Sequence, residues 1–95
     1  KQAELLKPFA RILIDFHQEN LPNENDLDAI FYNSIRLSSQ AKYPIALDGL
    51  LDILRQDKQY RGKTAQQAVL GILEIMGKED SDTRVYRAEL ASVLF

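Results

Sequence analysis

Apolar residues recur along this chain with the period of an α-helix in five successive stretches, and nowhere with the two-residue alternation of a strand. Advancing about 100° per residue gathers Leu5, Leu6, Phe9, Ile12, Leu13 and Phe16 on one face of residues 3–19. Glu4, Lys7, Arg11, Asp15 and Gln18 fall opposite, with Arg11 and Asp15 spaced for an i,i+4 ion pair. Residues 26–41 gather Leu27, Ile30, Phe31, Ser34, Leu37, Ser38 and Ala41. Residues 44–57 place Ala46, Leu47, Leu50, Leu51, Ile53 and Leu54 on an arc of about 160°, leaving Asp48, Asp52, Arg55 and Gln56 outside. From Ala65 to Met76 the apolar positions Ala65, Ala68, Val69, Leu70, Ile72, Leu73, Ile75 and Met76 cover more than half the circumference, which predicts a central helix packed on two sides. A fifth stretch aligns Tyr86, Leu90, Val93 and Leu94.

The breaks between these stretches carry the chemistry of helix ends. Pro8 lacks an N–H and suits a first turn, which predicts that the first helix begins near Leu6 or Lys7. Asn20 to Asn25 reads as a loop, with Asn25 or Asn23 as a cap and Asp26 and Asp28 suited to the positive end of the helix dipole. Lys42-Tyr43 is a short turn before Pro44 at a first helical position. Thr64 and Gln67 have capping-box spacing after Gly62, Gly77 ends that helix, and Asp80 or Ser81 caps the next. Short connections make neighbours antiparallel. The expectation is an all-α chain of about five antiparallel helices: two helical hairpins, 26–57 and 64–95, preceded by one extra helix. Residues 1–95 are then a single repeat-like domain, with 1–24 as leading helix and loop, 25–60 as first hairpin and 61–95 as second. A chain of 95 residues starting at Lys1 is expected to be a C-terminal piece of a longer protein.

Twelve basic residues stand against fourteen acidic ones, well interspersed, for a net charge of −2. Nucleic-acid binding wants a basic face that this balance does not supply. No apolar run approaches the roughly 18 residues of a membrane span, and no signal peptide is expected. The chain has no Cys, which removes disulfides, thiolate metal sites and thiol catalysis.

Several local motifs tempt a catalytic reading and fail on their own terms. Gly62-Lys63-Thr64 resembles the end of a phosphate loop, but position 57 is Asp where the motif needs Gly, and a helix rather than a strand precedes it. His17 is the one histidine and has no partner for metal binding or nucleophile activation. Glu79-Asp80-Ser81-Asp82 lacks the alternating ligands, central Gly and final Glu of a calcium loop, so capping is the better account. Lys58, Arg61 and Lys63 cluster where the negative end of the third helix attracts positive charge, and an acidic partner is the alternative. No enzymatic activity, metal or cofactor is expected. Ile14, Tyr32, Ile45 and Phe95 fall off their helices' apolar faces and matter only if two or more converge.

The second and third helices carry Ile30, Ser34, Leu37, Ala46, Leu50 and Ile53 at the offsets of a tetratricopeptide hairpin, with small Ser34 and Ala46 allowing a close crossing. Asn33 stands where that pattern usually has Leu, and Lys58 where it has Pro. The stretch from Tyr43-Pro44-Ile45-Ala46-Leu47 to Leu54-Arg55-Gln56-Asp57-Lys58, then Tyr60-Arg61, Ala65 to Met76, and the closing run Tyr86-Arg87-Ala88-Glu89-Leu90-Ala91-Ser92-Val93-Leu94-Phe95 resembles the C-terminal end of the YbbN family. These are bacterial thioredoxin-like co-chaperones, or chaperedoxins, and the resemblance spans about residues 27–95. It implies a thioredoxin-like domain ahead of this chain, a cytoplasmic location, and a tetratricopeptide-like tail that binds unfolded clients and docks on chaperones, including a GroEL-type chaperonin. It implies partner contacts at Tyr86, Arg87, Leu90, Leu94 and Phe95.

The expected function is therefore a protein-interaction module of a co-chaperone. The alternative is a helical adaptor or oligomerisation domain of an unrelated regulator. Stacked helix pairs without polar end caps also predict self-association of the isolated piece.

Overall fold

A computed structural model describes the backbone of residues 2–95 and the side chains of residues 6–95, so the places expected for Glu4 and Leu5 lie outside the described residues. Five helices follow in order: α1 (Gln2–His17), α2 (Asp26–Ser39), α3 (Tyr43–Gln56), α4 (Tyr60–Met76) and α5 (Ser81–Leu94). No strand occurs among the described residues. α2 and α3 form a hairpin, α3 packs on α4, α5 lies chiefly along α3, and α1 docks chiefly on α4 while touching α2. α4 is thus covered on two sides, as its wide apolar arc predicts, and α3 shares the centre with it.

The α3 face is the clearest product of periodicity. Ala46, Leu47, Leu50, Leu51, Ile53 and Leu54 are all buried, and Asp48, Asp52, Arg55 and Gln56 are exposed. Pro44 sits in the first turn, where its missing N–H costs nothing. At the α2–α3 crossing Ser34 faces Gly49, where a Cβ would come within 2.2 Å of the Ser34 hydroxyl. Small residues do permit the close approach, with Gly49 opposite Ser34. α2 also buries Ile35, which lies outside the face expected for it. Ala41 is exposed rather than core. α2 stops at Ser39, and the chain folds back with Ala41 N bonded to Ser38 O and Lys42 N to Leu37 O. Ala41 takes the left-handed conformation (φ 61°) that this C-terminal motif requires.

One helix start differs from expectation, and one expected cap is not made. α1 begins at Gln2, so Pro8 lies inside the helix. A proline φ of about −65° is already helical, and the loss is one N–H rung. Phe9 and Ile12, buried just beyond it, hold this stretch against α4. Phe9 lies directly over Gly71, where an added Cβ would sit 2.4 Å from its own Cβ. The α4 span opens at Tyr60, but Arg61, Gly62 and Lys63 have positive, non-helical φ of 41°, 66° and 72°, so a left-handed kink precedes the regular helix, which runs from Thr64 as the sequence predicts. The expected capping box is not made, because the Thr64 hydroxyl donates to the Arg61 carbonyl at 2.5 Å. Ile75, in the last turn of α4 beyond the Phe9 contact, is exposed.

Candidate protein-interaction surface

The left-handed turn entering α4 is held by one buried carboxylate. Asn25 caps α2, its side chain accepting from Asp28 N at 2.9 Å. That cap fixes Asp28, which is only 1% exposed. Asp28 Oδ1 accepts from the Tyr60 hydroxyl at 2.5 Å and Arg61 Nε at 2.8 Å. Asp28 Oδ2 accepts from Arg61 Nη2 at 2.8 Å and the Glu24 amide at 2.9 Å. Glu24 adds a second carboxylate 3.2 Å from Arg61. The hydrogen bonds from Arg61 hold the Asp28 carboxyl well below the usual carboxylate range despite its burial, with Tyr60 and the Glu24 amide assisting. Burial, and then the Asp28 charge, push the Tyr60 hydroxyl up. Every acceptor position of Asp28 is filled, so this cluster ties two loops together and offers no free base for chemistry.

The expected basic cluster is thereby dispersed. Arg61 turns to Asp28 and Glu24 instead of the end of α3, because a buried carboxylate attracts a guanidinium more strongly than an exposed dipole does. Lys58 Nζ donates to the Leu94 carbonyl at 3.4 Å, and Lys63 is exposed. His17 is exposed, with its ring 5.3 Å from that of Phe16. Asp80 caps α5 by accepting from Asp82 N at 2.8 Å. No group of three or more metal-ligating side chains converges among the described residues. No described helix is long and apolar enough to cross a membrane.

α5 is tied to α3 along its length, and that sorts the five residues expected to meet a partner. The Tyr86 hydroxyl lies 2.9 Å from Asp48 Oδ1 and 3.1 Å from the Pro44 carbonyl oxygen, two acceptors for its one proton. Burial and Asp48 push its pKa up to about 12. Arg55 bridges Asp52 at 2.9 Å and Glu89 at 2.8 Å. Leu90 is buried, and Tyr86 and Leu94 are half-buried against the core. Tyr86, Leu90 and Leu94 therefore share the packed face. Arg87 and Phe95 are exposed, and Phe95 is 100% exposed. Sequence reasoning missed Asp28 as a hub and the hydroxyl anchor of Tyr86. Their partners lie 32 and 38 residues away, beyond any local pattern.

Tyr32 lines a recess of about 410 Å³ with Leu21, Pro22 and Ala29, and its ring lies 5.2 Å from Phe16. Ile14, Ile45 and Phe95 do not line that recess.

Helices paired into hairpins around a small-residue crossing define a helical repeat protein, whose surfaces rather than enclosed sites make its contacts. The chain belongs to the tetratricopeptide repeat family, whose sequence model matches residues 13–95. No curated protein and no solved structure matches the chain. Tetratricopeptide-like repeats generally mediate protein–protein interaction and are typically non-catalytic.

Proposed function

We propose that this chain is the protein-binding tail of a thioredoxin-like bacterial co-chaperone, working in the cytoplasm and holding a chaperonin, another chaperone or an unfolded client. Membership of the tetratricopeptide repeat family supports the protein-binding part. The resemblance of residues 27–95 to the YbbN family supports the co-chaperone part. The observation that carries the reading is the contrast within α5. Its inner face is anchored on α3 through Tyr86, Glu89 and Leu90, while Phe95 at its end is fully exposed. A rigidly held helix presenting an aromatic tip suits a partner's apolar groove, since buried aromatics supply interface hot spots. In this reading a thioredoxin-like domain precedes the chain and any thiol chemistry belongs there, because the chain has no Cys.

Biolayer interferometry of the full-length protein against a purified GroEL-type chaperonin, and separately against a chemically unfolded client, tests the proposal. Saturable binding to at least one is expected. Absence of binding to both refutes it.

A further inference from the structure

α1 is held differently from the other helices. It packs on α4 and α2 and reaches neither α3 nor α5. Polar contacts pin the remaining helices to one another. Asp28 of α2 takes Tyr60 and Arg61 at the start of the α4 span, and Tyr86 and Glu89 of α5 meet Asp48 and Arg55 of α3. Among the described residues no side-chain hydrogen bond or ion pair joins α1 to another helix, and its one ion pair, Arg11 with Asp15, lies within it.

The contact is that of an amphipathic helix laid along a groove. Phe9, Ile12, Leu13 and Phe16 have the i, i+3, i+4, i+7 spacing of groove anchors. Phe9 and Ile12 are buried, and Leu13 and Phe16 are half-buried against the core. Phe9 is seated in the notch left by Gly71, where an added Cβ would meet its own Cβ at 2.4 Å. The seam beside it is incompletely filled. A recess of about 320 Å³ separates Pro8 and Ile12 from Phe31, Thr64 and Gln67. Pro8 also removes one rung from the helix ladder. A 16-residue helix with such a gap is marginal alone in water, so α1 unfolds when it leaves the body. The chain is fixed to the body again at Glu24, whose amide donates to Asp28 at 2.9 Å. The hinge is therefore the stretch 18–23, where Glu19 already takes a left-handed φ of 58°.

We infer that α1 is a releasable strap over the face made by α2 and α4. It opens as one unit while α2–α5 stay folded, and its own apolar anchors keep that face covered in the resting chain. Loss of apolar contact alone suffices for release, because no polar tie has to break. The covered face lies apart from the α5 tip, and the strap is a property of this chain whatever partner α5 holds.

The test uses the 95-residue chain, hydrogen exchange read by mass spectrometry, and a fluorescein-labelled peptide of residues 1–20 as the probe. In the wild type the amides of residues 9–16 are expected to exchange at least about tenfold faster than those of 50–54 and 69–73, the mark of an opening below global unfolding. Phe9→Ala is expected to speed exchange in α1 at least about tenfold more and to leave α3 and α4 unchanged. Leu50→Ala is expected to do the reverse, speeding α3 and α4 but not α1. The labelled peptide is expected to bind the wild type weakly, since the tethered strap competes at an effective concentration of about a millimolar. It is expected to bind the Phe9→Ala chain at least about tenfold more tightly, because the strap is loosened and the Gly71 notch is intact. Gly71→Val added to Phe9→Ala fills the notch and is expected to abolish that gain. Exchange of α1 in step with α3 and α4, in the wild type or in Phe9→Ala, makes α1 a part of the core and overturns the inference. Equal peptide affinity in the wild type and Phe9→Ala, or a gain that survives Gly71→Val, overturns it as well. None of these outcomes bears on chaperonin or client binding, which is measured separately.

Discussion

Replacing Asp28 by Asn keeps the side-chain shape and removes the charge on which Tyr60, Arg61 and Glu24 converge. The amide oxygen can still accept from Tyr60 and Arg61 Nε. The amide NH₂ then faces two donors, Arg61 Nη2 and the Glu24 amide, and both contacts become repulsive. Removing one partner of a buried ion pair costs about 3–5 kcal/mol, and because the Arg61 side chain is 35% exposed and can rehydrate, the lower end, about 3 kcal/mol, applies. With a urea m-value of about 1–2 kcal/mol/M for a chain this small, the midpoint falls by about 1.5–3 M. The pH dependence is a sharper signature. Asp28 titrates below its ordinary value of 3.8 in the fold, so its contribution is complete above that value and is lost as pH falls through the lower, folded value. Urea titrations at pH 7, 4 and 2.5 should therefore show a gap between wild type and variant that is full at neutral pH and narrows in acid. A loss below about 0.5 kcal/mol at pH 7, or a gap that stays constant into acid, would refute the assignment of Asp28 as the hub.

Three further substitutions test the packing. Leu50→Ala empties the centre of the α3 face, where Leu50 is 0% exposed, and should cost about 2–5 kcal/mol in chemical denaturation; a loss under about 0.5 kcal/mol contradicts that placement. Gly71→Ala forces Phe9 and α1 away from α4, an overpacking cost of about 1–3 kcal/mol against about 1 kcal/mol of gained helix propensity, so a lowered melting temperature is expected and a raised one contradicts the α1 contact. Removal of Leu94 and Phe95 takes away one half-buried and one fully exposed side chain and should lower Tm by about 4–8 °C for a cost of about 1 kcal/mol; collapse of the melt would make these residues core.

The helices were legible because burial on one face leaves a 3.6-residue rhythm, and α3, packed on α2, α4 and α5, shows it most completely. Boundaries were legible where one residue governs them, as at Asn25 and Asp80. They were not where distant contacts outweigh local rules. Pro8 reads as a helix start, yet burial of Phe9 and Ile12 on α4 accompanies it inside α1. Thr64 and Gln67 read as a capping box, yet Asp28 holds Tyr60 and Arg61 in a left-handed turn ahead of the helix, and the Thr64 hydroxyl turns back to the Arg61 carbonyl. Asp28 has a sufficient local explanation as a dipole partner, which hides its long-range role. In the candidate surface, the exposure of Phe95 followed from its angle on α5. The anchoring of Tyr86 depends on which helix lies beside α5, and no spacing in the chain records that.

The central claim is that α5 is a rigid mount presenting its outer residues to a protein partner. Its most direct test is titration of a GroEL-type chaperonin with the full-length protein and with its Phe95→Ala variant, read by interferometry alongside a melt. The account predicts saturable binding by the wild type and binding at least about tenfold weaker in the variant, the scale of an aromatic hot spot, with an unchanged melt. Equal affinity in the two proteins, with both folded, would contradict it.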